Sequence, residues 1–226
     1  MLRVPSFSSN IILGFIDSPC LKSIGISPYQ SNLDLDHEPG DLLSPSMSIV
    51  ASKWSQCLKE VNINSLTGGF THRNSKFLMP LADLHEIHTF DLEGWRMERN
   101  NDTLRHLAMS WPKLGTLTLL SGFISLSDLR TIAENCLQLR ILNIKLDVDT
   151  IPPFDDISSK SLCHKLAVLI VRGVHRSTTQ ILSLECQIQI ARHLDLFFPY
   201  VEDINVWDRG ICDLVKLCQD ARRGIC

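Results

Sequence analysis

The stretch AENCLQLRILNI, residues 133–144, reads as the end of a helix followed by the start of a strand. Its residues Leu139, Leu142 and Ile144 follow the pattern apolar-x-x-apolar-x-apolar. Because 44% of the chain is hydrophobic, about nineteen such matches are expected by chance, and the pattern alone decides little. Six matches nevertheless form a series, which begins at Leu58, Ile87, Leu114, Leu139, Leu166 and Val201.

The spacing of these six matches is more informative than their number. Successive starts lie 29, 27, 25, 27 and 35 residues apart, and the first four spacings fall in the range of leucine-rich repeats. The longer last spacing predicts an insertion. An apolar residue also stands three positions before five of the six starts, at Leu84, Trp111, Cys136, Cys163 and Phe198. The two periodicities together predict a stack of repeats with one strand each.

The segments between the predicted strands have helical periodicity. Apolar residues at i, i+3 and i+7 make one stripe per helix, which is typical of a helix that packs on a sheet. The stripes are Leu104/Leu107/Trp111, Leu129/Ile132/Cys136, Ala191/Leu194/Phe198 and, in the tail, Ile211/Leu214/Cys218. Polar helix starts are predicted at Asn101-Asp102 and Ser127-Asp128.

These observations predict an α/β fold, a leucine-rich-repeat solenoid of about six repeats. Its parallel strands would line the concave face of a horseshoe arc and its helices the convex face. Residues 46–226 would form this domain. Residues 1–45 are predicted to be irregular or disordered, because Ser-Pro and Pro-Gly pairs interrupt any periodicity there.

The stretch of residues 133–144 resembles the cysteine-containing leucine-rich repeat of F-box-associated proteins, in which a helix ends in Cys-Pro and a strand follows. Leu137 replaces the proline here, whereas Trp111-Pro112 and Phe198-Pro199 keep the proline and replace the cysteine. The run from Leu104 to Val206 is similar to the repeat region of fungal F-box-like proteins. The resemblance implies protein recognition as the substrate-receptor part of a ubiquitin-ligase subunit. Residues 1–45 lack the Leu-Pro of an F-box, so a cullin-ligase adaptor is an expected partner only if the full gene product carries that box.

Composition argues against several other classes of partner. The formal net charge of −3 and the pI of about 6.2 provide no basic surface for phosphates, so we expect neither nucleic acid nor membrane as a partner. The eight cysteines include no C-x-x-C, which argues against a zinc ribbon or a redox motif and favours reduced, buried thiols. No apolar run is long enough to cross a bilayer. With no secretion signal visible, we expect an intracellular protein, cytoplasmic or nuclear.

Two groups of residues have a spacing that could suit a metal. His85 and His88 are three positions apart, but His164 occupies the position equivalent to His85, so a recurring turn position is the better interpretation. Asp147-Val148-Asp149 with Asp155-Asp156 is acidic but lacks the glycine and terminal glutamate of a calcium-binding loop. We predict no metal and no cofactor.

The chain has no motif that predicts catalysis. Cys163-His164 could suggest a thiol nucleophile, but Cys163 matches the apolar repeat position and is predicted to be a buried structural cysteine. Neither a G-x-S-x-G turn nor a phosphate-binding glycine loop occurs. We therefore expect a protein that is not an enzyme. A stand-alone scaffold or regulator with no ubiquitin connection is the alternative to a ligase receptor.

Side chains that flank the central apolar residue of each strand are predicted to point away from the core, because side chains alternate along a strand. The predicted protein-binding residues are Asp91, Thr116, Thr118, Ile141, Asn143, Val168 and Ile170. Ile141, Val168 and Ile170 would form an apolar centre with a polar surround, which suits a protein interface. The alternative is that these three pack beneath a neighbouring loop such as residues 147–156. Trp207, after the last strand, is a further possible contact residue.

Overall fold

The structure is a computed structural model that describes residues 2–4, 18–26, 39–64, 75–94, 102–152, 164–175 and 182–224. The strands are β1 (Leu2–Val4), β2 (Ser23–Ile26), β3 (Glu60–Asn64), β4 (Thr89–Glu93), β5 (Thr116–Ser125), β6 (Ile141–Asp147), β7 (Val168–His175) and β8 (Asp203–Val206). The helices are α1 (Pro39–Trp54), a 3-10 helix (Ser75–Asp83), α2 (Asp102–Ser110), α3 (Leu126–Asn135), α4 (Leu184–Phe197) and α5 (Arg209–Arg223).

The eight strands form one open parallel sheet in which the spatial order equals the order in the chain, β1 to β8. Each adjacent pair is parallel, and a helix lies between most successive strands. All six strands predicted from the apolar pattern are present, and the α/β fold with a parallel sheet is therefore confirmed.

The predicted register is also correct. The central apolar residues pair across the sheet in one row: Val61, Phe90, Leu117, Leu142, Leu169 and Ile204. Five members of this row are buried and Ile204 is half-buried. A slip by one residue would turn this row to the other side of the sheet, so burial of the row holds strands β3 to β8 in register.

Three of the four predicted stripes pack into the same core, whereas in the stripe of α5 Ile211 is buried but Leu214 and Cys218 are half-buried. Leu104, Leu107 and Trp111 are buried, as are the corresponding residues of α3 and α4. Successive helices contact one another, from the 3-10 helix through α5. The core is one continuous cluster that joins the row from Val61 to Ile204 to the helices. This is expected when each repeat packs mainly on its neighbours.

Buried side chains near the ends of the helices link each repeat to the one before it. The Trp111 indole N–H donates to the carbonyl of Leu81 at 3.0 Å, and the Cys136 thiol donates to the carbonyl of Ala108 at 3.5 Å. The His164 ring continues this series with a 2.8 Å hydrogen bond from Nε2 to the carbonyl of Cys136. Each of these bonds joins neighbouring repeats, and the Leu81 and Cys136 carbonyls also accept from the backbone N–H groups of Leu84 and Leu139.

The segment 1–45 differs from its prediction. Within its described part, β1 and β2 add two strands to the sheet, and α1 begins at Pro39. The prediction of about six repeats therefore counted two strands too few. Ser23–Ile26 escapes a periodicity search because it is four residues long with two apolar positions, and its pairing with β3 provides the stabilisation that its own sequence lacks. The domain boundary at residue 46 stays a prediction.

The start of α3 also differs from its prediction. The helix begins at Leu126, and Ser125 is its N-cap, whose hydroxyl oxygen accepts from the Asp128 N–H at 3.1 Å. The prediction of a start at Ser127-Asp128 was wrong because β5 continues through a shift in register as far as Ser125. Asp102, by contrast, is the first residue of α2, as predicted. In the described part of the chain, no helix is long and apolar enough to cross a membrane.

Candidate functional site

The side of the sheet opposite the helices carries all the residues predicted to bind protein. They lie in two rows that run across the strands in register. One row is Glu60, Thr89, Thr116, Ile141, Val168 and Asp203, and the other is Asn62, Asp91, Thr118, Asn143, Ile170 and Asn205. We call these two rows the outer face. The structure thus brings the seven predicted residues together, and their role in binding stays a prediction.

Exposure separates the outer face from the core. Leu142 and Leu169 are fully buried, whereas their neighbours in sequence, Asn143, Val168 and Ile170, are half-buried. Ile141 is 38% exposed, which is a large fraction for an isoleucine within a sheet. Side chains on a strand alternate between the two sides of the sheet. The row from Val61 to Ile204 packs on the helices, so the residues of the outer face point to the opposite, accessible side.

The middle of the outer face is apolar. Ile141 and Val168 are directly paired on β6 and β7, and Ile170 lies beside Asn143 in the next row. Two cationic residues border this apolar centre at the carboxyl ends of the same strands. The Arg172 Nε donates to the Asn143 Oδ1 at 3.4 Å, and the Lys145 ammonium lies 6.0 Å from the centre of the Phe123 ring.

The β3–β4 end of the outer face is acidic. The Asn62 amide donates to the Asp91 Oδ2 at a long 3.4 Å, and the other oxygen of Asp91 is buried without a hydrogen-bond partner among the described residues. Burial, and secondarily the charge of Glu93, raises the pKa of Asp91 from 3.8 to about 6. A carboxylate with a raised pKa lies in a site that disfavours its charge until a donor or cation approaches.

Four residues of this side were missed by the sequence reasoning, which stopped two positions too early on each strand. Asn64, Glu93, Lys145 and Arg172 continue the same alternation, and Asn64 is paired with Glu93. Extending the alternation to the ends of the strands would have found them. Glu93, Lys145 and Arg172 add charge beside the outer face, acidic near β4 and basic near β6 and β7.

The histidines have different surroundings from those predicted. His85 is exposed, with its Nδ1 3.1 Å from the carbonyl of Ser110, but His164 is only 1% exposed. The register places both four residues before the paired residues Thr89 and Val168, so they share one repeat position as predicted but differ in burial. The buried His164 ring has a carbonyl at Nε2 and the Phe198 ring edge-on at 5.2 Å. No group of three or more potential metal ligands occurs among the described residues.

The loop proposed to cover the apolar centre is described only in its first part. Asp147 is buried and its carboxylate accepts from the N–H of Asp149 at 3.0 Å, which is a local turn. Asp155-Asp156, like Cys163, lies outside the described residues. Trp207 is 38% exposed next to β8.

Comparison with known proteins finds no family and only distant structural similarity. No family model and no curated protein matches the sequence, so the resemblance to fungal F-box-like proteins gains no support. Among solved structures, the chain is similar to the tropomodulin C-terminal domain of Caenorhabditis elegans, with 9% identity, a TM-score of 0.35 and coverage of 96% of this chain and 95% of that one. It is also similar to an internalin of Listeria monocytogenes, with 14% identity, a TM-score of 0.34 and coverage of 87% of this chain and 59% of that one.

Proposed function

We propose that the protein recognises another protein through the outer face of its sheet. The observation that carries this proposal is the apolar centre of Ile141, Val168 and Ile170, which lies partly exposed between polar and charged neighbours. An apolar centre with a polar rim is the usual anatomy of a protein interface. We propose no catalytic role, because recognition needs only this surface.

The outer face favours a partner of particular chemistry. Aliphatic or aromatic side chains of the partner would cover Ile141, Val168 and Ile170, and an N–H donor or a cation would approach the half-buried carboxylate of Asp91. Asp91 and Ile170 lie in one row on β4 and β7, and three strand spacings separate them by roughly 14 Å. A partner segment that crosses the strands could reach both.

We infer in addition that the repeats form a leucine-rich-repeat solenoid, with the outer face on its concave side. The support is the repeat spacing together with the strictly sequential order of the strands. Such curvature would turn two straight rows into an extended binding surface. The ubiquitin-ligase role that the fungal resemblance implies has no further support, so the proposal is limited to protein recognition. A stand-alone scaffold would use the same surface.

A site-specific photocrosslinker can identify the partner. It would replace Ile170 in one version of the full chain and Leu137 in another, since Leu137 is 67% exposed and lies in the turn after α3. Proteins of the native source that are captured from position 170 and not from position 137 are candidates. The purified candidate is then titrated against the unmodified chain and its variants.

We expect Val168→Glu and Ile170→Glu to weaken binding at least about tenfold, because a charge at the centre of an interface removes apolar burial. The matched Leu137→Glu variant should bind within about twofold of the unmodified chain. Circular dichroism establishes that each variant is folded. Unchanged binding by folded Val168→Glu and Ile170→Glu would refute the proposal, and unfolding of both would show that these side chains belong to the core.

A further inference from the structure

Two cysteines occupy the same position in consecutive repeats near the beginning of the sheet. Ser23 of β2 is paired with Glu60 of β3. Three residues before each of them stands a cysteine, Cys20 and Cys57. Equivalent positions in neighbouring parallel strands are separated by about 4.8 Å, and cysteines joined by a disulfide have Cα atoms about 4.4–6.8 Å apart.

The next two repeats show how side chains at this position are oriented. The register of β3, β4 and β5 makes Glu86 and Lys113 the equivalents of Cys57 in the following repeats. The Lys113 ammonium donates to the Glu86 carboxylate at 2.5 Å. Side chains at this position therefore contact one another across these repeats, and Cys20 and Cys57 form the corresponding pair two repeats earlier in the chain.

Hydrogen bonds hold the two segments side by side. The Lys59 N–H donates to the carbonyl of Lys22 at 2.9 Å, and the Trp54 indole donates to the carbonyl of Ser18 at 3.1 Å. Burial, followed by the adjacent Cys20 thiol, raises the pKa of Cys57. Cys20 is exposed and Cys57 is half-buried, so an oxidant from solution meets Cys20 first.

We propose that Cys20 and Cys57 are a redox-sensitive modification site that forms a reversible disulfide at the expense of a small disulfide such as oxidised glutathione. The Cys20 thiolate attacks one sulfur of the oxidant, a mixed disulfide forms, and one glutathione thiolate leaves. Cys57 loses its proton to solvent and attacks the Cys20 sulfur, which releases the second glutathione thiolate. Two protein thiols are oxidised to one disulfide, and one glutathione disulfide is reduced to two thiols.

The consequence of the disulfide is local. It covalently joins the segment before β2 to the turn before β3, near the edge of the described sheet, where only β1 lies beyond β2. Opening of a terminal repeat is the least costly local unfolding event of a stacked array. Oxidation would therefore slow the opening of β2, and reduction would restore it. The pair is invisible to a search for C-x-x-C because its members are distant in sequence and meet only through strand pairing.

The test maps the disulfide in the full chain. Reduced, desalted protein is treated with oxidised glutathione, the remaining thiols are blocked with N-ethylmaleimide, and tryptic peptides are identified by mass spectrometry. Cleavage after Arg3, Lys22, Lys53 and Lys59 places Cys20 in residues 4–22 and Cys57 in residues 54–59. We expect the peptide that joins these two segments to exceed the glutathione adducts of either cysteine at least about tenfold.

Two variants complete the test. Cys57→Ser should retain glutathione on Cys20, and the matched Cys186→Ser variant should form the cross-link as the unmodified chain does. Hydrogen exchange at Ile24 and Ile26 should slow at least about tenfold on oxidation of the unmodified chain. A glutathione adduct at Cys20 that persists in the unmodified chain, or pairing of Cys20 with another cysteine, would overturn the proposal. That mapping decides the matter even if Cys57→Ser fails to fold.

Discussion

The Asp91→Asn substitution tests the electrostatics of the outer face. Asp91 is half-buried, one of its oxygens has no hydrogen-bond partner among the described residues, and its pKa is raised from 3.8 to about 6. The folded state therefore binds the Asp91 proton more tightly than the unfolded state does. The stability that this contributes is fully present below pH 3.8 and is lost as the pH rises through about 6. Above that pH, the charged carboxylate destabilises the fold.

The size of the effect follows from the same values. A pKa difference of about 2 corresponds to about 3 kcal/mol at 1.36 kcal/mol per pKa unit. Because Asp91 is partly exposed, solvent screening reduces this to about 1 kcal/mol. Asn cannot ionise and keeps the shape of the side chain. Asp91→Asn should thus stabilise the protein by about 1 kcal/mol above pH 7, and the gain should vanish near pH 4.

Urea unfolding monitored by circular dichroism at several pH values between 4 and 8 measures this gain. Asp203→Asn is the matched control, because Asp203 is an exposed aspartate of the same outer face, and its effect should stay within about 0.5 kcal/mol throughout. A stability difference for Asp91→Asn that is independent of pH, or a loss of stability above pH 7, would refute the reasoning.

Three further predictions concern the core, a buried histidine and the last helix. Leu142→Ala should lower the free energy of unfolding in urea by about 2–5 kcal/mol, because Leu142 is fully buried. The control Leu137→Ala, at an exposed residue, should lower it by less than about 0.5 kcal/mol. Equal effects of the two substitutions would contradict the register. Burial lowers the pKa of His164 from 6.5. The free energy of unfolding should therefore keep the contribution of neutral His164 above pH 6.5 and decrease as the pH falls below it. The fall should be shallower in His164→Gln, and an equally steep one would contradict this cause. Among the described elements, α5 contacts only α4 and β8 appreciably, so hydrogen exchange in Arg209–Arg223 should precede exchange at Leu117; uniform protection would argue against this order.

The sequence was sufficient for the six strands from β3 to β8 and for their register. The reason is physical: the apolar pattern of each repeat specifies which side of the strand is buried, and a parallel sheet must bring like positions together. The pattern at Leu139, Leu142 and Ile144 therefore also located the outer face, because Ile141 and Asn143 had to point the other way. The protein-binding role of that face stays a prediction.

Other features depended on contacts that local sequence does not encode. Strand β2 exists because it pairs with β3, and Ser23–Ile26 alone carries too few apolar residues to be recognised as a strand. His164 is buried although its sequence position resembles that of exposed His85, since the surroundings of a ring are decided by the carbonyl and aromatic partner that meet it.

What the sequence by itself determined is thus the repeating α/β architecture, because period and apolar spacing are local properties. Tertiary structure alone decided which side chains meet across repeats. The raised pKa of Asp91 arises from burial beside Glu93, and Cys20 approaches Cys57 across a strand pairing. Desolvation, charge–charge interaction and thiol contact depend on distances in space, and those distances are set only once the strands have paired.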